Sequence, residues 1–309
     1  MLVGRVREVW RYPLKSMAGE CLESASVGAR GLWGDRGWAL RDEAAGEIRG
    51  AKMSPKLMLC AARYREEPAP EGAPPDADIT LPDGSQTATD DPRVNELLSE
   101  LIGRRVTLWP LRPASDRAHY RRAIPAARVL GLLSRSRSFR KLAVGAMRLA
   151  GKDKNLREDF GRLPGEPLPD LSLLPAEIFE FTSPPGTYFD AFPIHLLTTA
   201  SLNALARHAP ETLWDARRFR PNFLVETTEG VEGLVESGWA GRTLRVGGLR
   251  LKCEMPAPRC SMTIQAQAGL PKDPRVLRAI VREAGQNFGM YANVETPARV
   301  SVGDEVELI

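Results

Sequence analysis

The chain has 309 residues, 43% of them hydrophobic and 27% charged, with four cysteines, three histidines and a net charge of +4. This length allows one large domain or two ordinary ones. The sequence has neither an apolar run of about 18 residues nor a basic start followed by an apolar core, so neither a membrane-spanning helix nor a signal peptide is expected. Few cysteines, none spaced C-x-x-C, disfavour a disulfide framework and a zinc site and favour a reducing cytoplasm.

The first third of the chain is predicted to be mostly β. The opening GRVREVWRYPL is a strand ended by Pro13, and GWALRDEAAGEIRGAK predicts two short strands around a turn at 44–46. The segment ADITLPDGSQTAT places Pro-Asp-Gly between extended runs, which predicts a hairpin. In DPRVNELLSELIG, Asp91 can cap a helix, Pro92 suits the first turn and Gly103 ends it.

Positive charge is concentrated in residues 112–162. This segment has fourteen lysines and arginines against four acidic residues, a local net charge of +10, so the remainder carries −6. Apolar residues at helical spacing predict a helix over about 126–150, and Pro/Gly-rich residues 163–187 predict a linker. We expect a helical segment that covers the core with its arginines in water. A docking surface for an acidic electron-donor protein or an anionic membrane is the alternative, and nucleic acid is disfavoured because interleaved aromatics are few.

The last third returns to β-structure with inserted helices. TTASLNALARHA predicts a helix capped by Thr198 or Thr199, and DPRVLRAIVREAG predicts a second helix. TLRVGGLRLKC predicts a tight hairpin across Gly-Gly, and ARVSVGDEVELI a closing hairpin around Gly303 and Asp304. Many short strands joined by hairpin turns favour a closed or half-closed barrel of mainly β (α+β) class over a doubly wound sheet.

One cysteine lies in an unusual setting, the segment MPAPRCSMT. Pro256 and Pro258 are expected to prevent regular strand pairing, so that Cys260 is presented on a rigid loop. The adjacent Arg259 favours thiolate over thiol. A buried structural cysteine, a nucleophile and a metal ligand all remain open. Thiolates suit soft transition metals, whereas no histidine or aspartate lies close in sequence to act as a base.

Three further motifs place cations and polar groups at strand ends beside glycine or proline. YPLKS contributes Lys15 and Ser16, GDRGW contributes Arg36, and RRFRPNF contributes Arg220 and Asn222. Lysine and arginine with hydroxyl groups are the usual chemistry for phosphate, and arginine adds a bidentate fork. A solvated surface charge is the alternative for each cation singly. Together the motifs indicate an anion site.

Other titratable residues are weaker candidates. Asp35 and Asp190 could donate protons, although a turn residue and a loop carboxylate are the favoured interpretations. His195 and His208 flank the TTASLNAL segment and are expected to be packing or surface histidines. His119 lies in the basic segment and is not expected to be central.

The ordered set of motifs resembles that of a known family. YPLKS, GDRGWAL, RFRPNFLVE, WAGRTLRVGGLRLKCEMPAPRC and FGMYANVETPARVSVGDEVEL are similar to MOSC-domain proteins with an N-terminal MOSC β-barrel domain, among them the mitochondrial amidoxime reducing component and its bacterial relatives. The resemblance covers residues 1–65 and 190–309 and is thin over 112–180. It implies an N-terminal β-rich MOSC-associated domain (1–110), a basic helical insert with a Pro-rich linker (111–180) and a MOSC β-barrel domain (181–309).

The resemblance also implies a cofactor and its ligands. Such proteins bind a pterin-based molybdenum cofactor (molybdenum–molybdopterin), and Cys260 occupies the position of the molybdenum ligand. The phosphate and pterin edges would be held by polar residues at matching positions, which are Lys15, Ser16, Arg36, Thr199, Ser201, Arg220 and Asn222. Some relatives have a second cysteine three residues before the ligand, where this chain has Ala257.

The function implied is a molybdenum-cofactor-dependent oxidoreductase. It would reduce small N-oxygenated or similar oxo compounds in the cytoplasm, with Cys260 as the catalytic metal ligand. An external electron-transfer protein is expected because the sequence shows no flavin, haem or iron–sulfur motif. The alternatives are a sulfurtransferase that carries persulfide on Cys260 and a non-catalytic molybdenum cofactor carrier. No nucleic-acid partner is expected, and membrane contact by the basic insert is disfavoured.

Overall fold

The computed structural model describes residues 1–70, 72–142 and 153–309. Its strands are β1 (Leu2–Arg11), β2 (Glu20–Leu22), β3 (Ser24–Gly28), β4 (Gly31–Leu32), β5 (Trp38–Asp42), β6 (Glu47–Arg49), β7 (Ala61–Tyr64), β8 (Ala77–Thr80), β9 (Gln86–Ala88), β10 (Val106–Pro110), β11 (Ile194–Thr198), β12 (Phe223–Thr227), β13 (Thr243–Val246), β14 (Leu249–Pro258), β15 (Asn287–Thr296), β16 (Ala298–Ser301) and β17 (Glu305–Leu308). Its bounded α-helices are α1 (Val94–Ile102), α2 (Arg117–Tyr120), α3 (Ala127–Leu133), α4 (Asp153–Phe160), α5 (Thr199–His208) and α6 (Pro274–Glu283). Within these ranges no helix is long and apolar enough to cross a membrane.

Seven strands close into a barrel. Their order is β12-β11-β15-β14-β13-β17-β1, and β1 pairs with β12 to complete the ring. β11 and β12 run parallel, joined through α5, and the other neighbours are antiparallel; a ring with an odd number of strands needs such a parallel pair. The mainly β fold class with a barrel core is therefore confirmed.

The barrel interior follows from alternation along the strands. In β1, Val3, Val6 and Val9 point inward, with a bulge between Val6 and Glu8 that keeps the third valine on the inner face. In the β13–β14 hairpin, Leu244 lies opposite Leu251 and Val246 opposite Leu249, all buried, as the sequence predicts. The first strand of the chain thus shares one core with strands from its last third. The boundaries expected at residues 110 and 180 stay a prediction.

Residues 14–19 and 34–110 contribute to a second core beside the barrel, whereas β3 and β4 pack into the barrel core. The three-stranded sheets β10-β5-β6 and β7-β8-β9 pack with α1 around buried apolar side chains. The predicted hairpins β5–β6 and β8–β9 are present. So is the predicted helix α1, whose first turn follows a bond from the Arg93 amide to the Asp91 carboxylate and which ends at Gly103 in a left-handed conformation (φ 76°).

Two expectations about the last third need correction. β14 continues through Pro256 and Pro258, which lie opposite Met290 and Asn287. Because a proline removes one donor only, shifts of register beside it let pairing continue. The prediction of a closing hairpin is also wrong. A tight turn at Gly303 joins β16 to β17, but the two strands pair with different partners: β16 pairs with β3, and β17 pairs with β13 and β1.

The helix expected over 126–150 is interrupted. It is helical over 127–133 and 137–142, with a turn at 134–136, and its remainder lies outside the described residues. The buried Ser134 hydroxyl donates to the Gly131 and Ala176 carbonyls, which anchors the break against the linker. Local hydrogen bonding by serine competes with the helical ladder, a signal that apolar spacing alone does not reveal.

Candidate active site

Four residues other than glycine hold a positive φ in the described chain. They are Ser16 (75°), Arg36 (53°), Arg220 (56°) and Gln286 (74°). Three of them are residues predicted for the anion site, and the fourth accepts the backbone N–H of Arg259 through its carbonyl. Such conformations cost of order 1 kcal/mol or more each and concentrate at functional sites. Backbone strain therefore marks the same place that the sequence motifs indicate.

Two guanidinium groups share one aromatic ring at this place. The Cζ atoms of Arg36 and Arg220 lie 5.1 Å and 4.1 Å from the ring centroid of Tyr12. Arg36 is paired with Asp35, and Nη1 of Arg220 donates to the Met17 carbonyl. Burial, with the nearby charge of Arg36, lowers the pKa of Arg220 to about 10. Nη2 of Arg220 is buried and has no hydrogen-bond partner among the described residues, as expected of a donor that faces a ligand.

Asn222 holds this cluster in position. Its side-chain amide donates to Asp35 Oδ2 (3.1 Å), and its Oδ1 accepts the backbone N–H of His195 (3.1 Å). Asp35 also accepts the backbone N–H of Tyr12 at 2.9 Å. Both Asp35 oxygens are therefore engaged in orienting Arg36 and the end of β1. Asn222 acts on the cations through Asp35, and the expected direct contact with a cofactor stays a prediction.

Lys15 forms the edge of the cluster that faces solvent. Its Nζ donates to the Tyr188 carbonyl and to Asp190 Oδ1, both at 2.6 Å. Burial lowers the pKa of Lys15, although Asp190 opposes this. Burial disfavours the charge of Asp190 too, but Lys15 outweighs it and holds the pKa of Asp190 well below its usual range. The neighbouring Ser16 hydroxyl accepts the backbone N–H of Ala51 at 2.8 Å and so shapes the loop.

Cys260 follows β14 and is half-buried, with a free thiol. The guanidinium of Arg259 is engaged elsewhere: Nη2 donates to the Phe219 carbonyl at 2.8 Å, and Nη1 lies 3.5 Å from His195 Nε2. A second cation, Arg162 from the basic insert, lies within electrostatic reach of Cys260 and donates to the Arg259 carbonyl at 2.9 Å. Sequence adjacency identified Arg259 as the cation beside the thiol, but the fold adds Arg162 from a distant segment.

Tyr291 packs on the histidine that lies between the thiol segment and the cation cluster. Burial raises the pKa of Tyr291 to about 12. Its ring packs against that of His195, with centroids 5.5 Å apart. His195 Nε2 lies 3.5 Å from Nη1 of Arg259, the neighbour of Cys260, and the backbone N–H of His195 donates to Asn222 Oδ1. Tyr291 was not singled out from the sequence because nothing local distinguishes it from a core tyrosine of β15.

His195 is an uncharged member of this group. Burial and the neighbouring positive charge of Arg259 lower its pKa to about 3. Its Nε2 lies 3.4 Å from the Phe288 carbonyl, and Gly289 gives the ring room. The expectation of a packing histidine fits this buried position.

Thr199 and Ser201 lie in a different polar network, at the start of α5. Ser201 Oγ donates to Glu236 Oε2, as does Thr198 Oγ1 at 2.7 Å. Thr199 Oγ1 accepts the backbone N–H of Thr227 at 3.1 Å. At about 3.3 Å per residue, the end of β11 lies about 10 Å along the strand from His195. The structure therefore does not bring these two hydroxyls to the cation cluster, and their assignment to a cofactor stays a prediction.

The donor set suits a metal that arrives with its own organic ligand. Among residues 1–70, 72–142 and 153–309, no group of three or more His, Cys, Asp and Glu side chains could hold a metal ion. Cys260 would thus be one protein ligand completed by others from a cofactor. Nε of Arg259 and Nη2 of Arg220 are buried donors without partners in the described chain. Buried cations left unneutralised are costly, so an anionic group such as a pterin phosphate fits this place.

Two family models match the chain, one on each side of the basic insert. The model of the MOSC N-terminal β-barrel domain matches residues 3–103, and that of the MOSC domain matches residues 184–307. Rat mitochondrial amidoxime reducing component 2 is 28% identical over 331 residues, covering 98% of this chain and 83% of the relative. Mouse mitochondrial amidoxime-reducing component 1 is 26% identical, covering 99% and 83%.

Solved structures were also compared. The YUAD protein of Bacillus subtilis is 13% identical, with a TM-score of 0.40 and coverage of 99% of this chain and 95% of that one. YiiM of Escherichia coli is 18% identical, with a TM-score of 0.28 and coverage of 38% and 54%. From the two family matches, which flank the basic insert, and the near full-length relatives, the chain belongs to the MOSC-domain proteins that carry an N-terminal MOSC β-barrel domain.

Proposed function

We propose that this protein is a molybdenum-cofactor-dependent reductase of small N-oxygenated or similar oxo compounds. The observation that carries the proposal is a half-buried free thiol, Cys260, next to Arg259, whose buried Nε has no partner in the described chain; Arg220 of the cation cluster has such a donor too. The family and the name of the relatives, amidoxime reducing component, support the same chemistry. When bound, the cofactor supplies two-electron redox chemistry at molybdenum.

The chain's own residues would hold the cofactor. Cys260 would bind the metal, and Arg36 and Arg220 would neutralise a phosphate beside the Tyr12 ring. Asn222 would position these cations through Asp35. By resemblance alone, the cofactor-binding set also includes Lys15, Ser16, Asn222, Thr199 and Ser201.

Lys15 is placed to supply protons. Reduction of an N–O bond consumes two electrons and two protons and releases water. The Lys15 side chain is 10% exposed and that of its partner Asp190 is 69% exposed, so the carboxylate end of the ion pair reaches solvent. Burial lowers the pKa of Lys15, which makes the proton on its Nζ easier to donate. Lys15 would be reprotonated from water alongside Asp190.

A turnover assay tests the proposal. Protein from cells that make the cofactor is supplied with a chemically reduced viologen dye and an aromatic amidoxime, and the amidine is measured. We expect turnover by the wild type, a loss of at least about 100-fold for Cys260→Ser, and wild-type rates for Cys21→Ser, which removes an exposed free thiol on β2. Bound molybdenum without reduction of any N-oxygenated compound would favour the cofactor carrier.

The sulfurtransferase is separated by the state of Cys260. Intact-protein and peptide mass spectrometry would show a persulfide on Cys260, without bound molybdenum, if sulfur transfer were the function. The proposed reductase predicts the reverse.

Partners and location follow from the same proposal. The reductase would work in the cytoplasm, on a small molecule, with an external electron-transfer protein. We propose no nucleic-acid partner, and we regard contact of the basic insert with a membrane surface as the less favoured use of its charge.

A further inference from the structure

The end of the basic insert lies against the candidate active site. Ser261 Oγ, next to Cys260, donates to the Asp159 carbonyl at 3.0 Å. Arg162 uses three of its nitrogens on neutral partners: the carbonyls of Phe160 (2.6 Å) and Arg259 (2.9 Å), and Gln286 Oε1 (3.2 Å). Residues 159–162 therefore form a wall beside the thiol.

A cation from the second core meets this wall. Nζ of Lys52 lies 4.8 Å from the Phe160 ring centroid, and Cζ of Arg162 lies 5.9 Å from it. Phe160 is thus flanked by two positive charges. The charge of Lys52 also acts on Asp190, and that of Arg162 on Cys260. Lys52 is exposed, whereas Arg162 is 5% exposed.

These charges form no ion pair within the described chain. Neither Lys52 nor Arg162 lies within ion-pair distance of a described carboxylate, and Arg259, 9% exposed, keeps an unpartnered Nε nearby. Two neighbouring carboxylates pair with other cations, Asp190 with Lys15 and Glu166 with Arg278. A buried arginine without a counter-charge is unfavourable unless an anion approaches it.

We propose that the substrate is an anion, with its negative group bound by Lys52 and attracted by Arg162 on the insert side of Cys260. The inference rests on the proposed reductase function and specifies its substrate class. The Tyr12 cluster serves the cofactor, and Lys52 serves the substrate. The positive charge at the end of the insert thereby helps to bind substrate. A segment that only covers the core and faces water would not need such a role.

Matched substrates test this inference. KM is measured for an aromatic amidoxime and for its para-carboxylate derivative, at about 0.05 M and 0.3 M salt. We expect a KM about tenfold lower for the carboxylate, with the preference shrinking at high salt. Lys52→Gln should abolish the preference, and Lys52→Arg should restore it. Arg128→Gln is the matched control, because Arg128 is an exposed insert cation with no described side-chain partner.

Molybdenum content and benzoate binding complete the test. Molybdenum content should be the same in Lys52→Gln and the wild type; a loss would assign Lys52 to the cofactor and overturn the inference. Equal KM values for the two compounds in the wild type would also overturn it. If neither compound is reduced, the reductase proposal fails, and calorimetric titration with benzoate decides the anion site alone. Binding by the wild type that is lost in Lys52→Gln supports the site, and no binding refutes it.

Discussion

At the scale of single residues, the site combines strain with unsatisfied charge. Arg36 and Arg220 adopt left-handed backbone conformations and bring two like charges to one ring. Neither choice stabilises the chain by itself, because each costs free energy that ordinary packing would avoid. An anion would relieve the repulsion between the two cations, which is the physical reason for proposing that a cofactor phosphate binds here.

Replacement of Arg220 separates binding from folding. Arg220→Gln removes a buried charge whose Nη2 has no partner in the described chain. We expect the free energy of unfolding of the cofactor-free protein to change by less than about 1 kcal/mol. Cofactor occupancy, measured as molybdenum per chain, should fall at least about tenfold. Full occupancy in this variant would exclude Arg220 from the site.

Asn222→Ala is the contrasting change. It removes the bonds to Asp35 and to the backbone N–H of His195 in a fully buried place. Groups left unsatisfied there should lower the free energy of unfolding by about 2–3 kcal/mol, measured by urea titration. Unchanged stability would show that Asn222 does not hold the cluster together.

His195 makes stability depend on pH. Its pKa is about 3 in the folded protein, against 6.5 as its ordinary value. Between these values the unfolded chain binds the extra proton, so stability falls as pH falls below about 6.5. From pH 7 to pH 5 we expect a loss of about 2 kcal/mol from this group. In His195→Gln this loss of about 2 kcal/mol between pH 7 and pH 5 should disappear from the free energy of unfolding, measured by urea titration at each pH. An unchanged loss would mean that other groups cause the pH dependence.

At the scale of elements, the sequence predicts the strands and helices that depend on local residue patterns. The β13–β14 register follows from alternating apolar residues about Gly247 and Gly248, and α6 follows from Asp273, whose carboxylate caps it. The pairing of β16 with β3 carries no local signal, since those strands are far apart in the chain. Pro258 also misled the prediction, because a bulged register accommodates prolines that a regular ladder would exclude.

Gly289 shows how one position couples two strands. It adopts φ 85°, and an added Cβ would lie 2.2 Å from His195 Nε2 and 2.7 Å from the Leu196 carbonyl. Gly289→Ala should therefore cost more than about 3 kcal/mol in unfolding free energy. Gly303→Ala is the control: φ is 93° but nothing lies within 4 Å, so backbone strain alone, about 1–2 kcal/mol, is expected. Similar losses for both would show that β15 relaxes around the new methyl group.

At the scale of the whole molecule, the site is assembled from distant segments. Lys15 and Arg36 come from the second core, Arg220 and Cys260 from the barrel, and Arg162 from the insert. The motif residues could be identified from the sequence because strand ends, glycines and prolines mark them locally. Arg162 could not be identified in this way, because its position beside the thiol depends on how the insert returns to the barrel. The family resemblance is thin over this part of the chain.

Barrel closure makes the two ends of the chain interdependent. β1 supplies Val3, Val6 and Val9 to the barrel core and pairs with both β12 and β17. Each buried valine contributes about 1.5–3 kcal/mol, and without β1 two strand edges are open. Residues 184–309 expressed alone should therefore lack the dispersed amide spectrum and cooperative unfolding of the full chain. A fragment with both properties would refute closure by β1.

The central claim is that Cys260 binds the molybdenum of a cofactor held by this fold. Its most direct test is molybdenum per chain, measured by mass spectrometry on protein purified from cells that make the cofactor. The wild type and Cys253→Ser, which alters a buried thiol on the strand that precedes Cys260, should carry close to one molybdenum, and Cys260→Ser should carry almost none. Equal molybdenum in all three would contradict the ligand assignment, and its absence from the wild type would contradict the account as a whole.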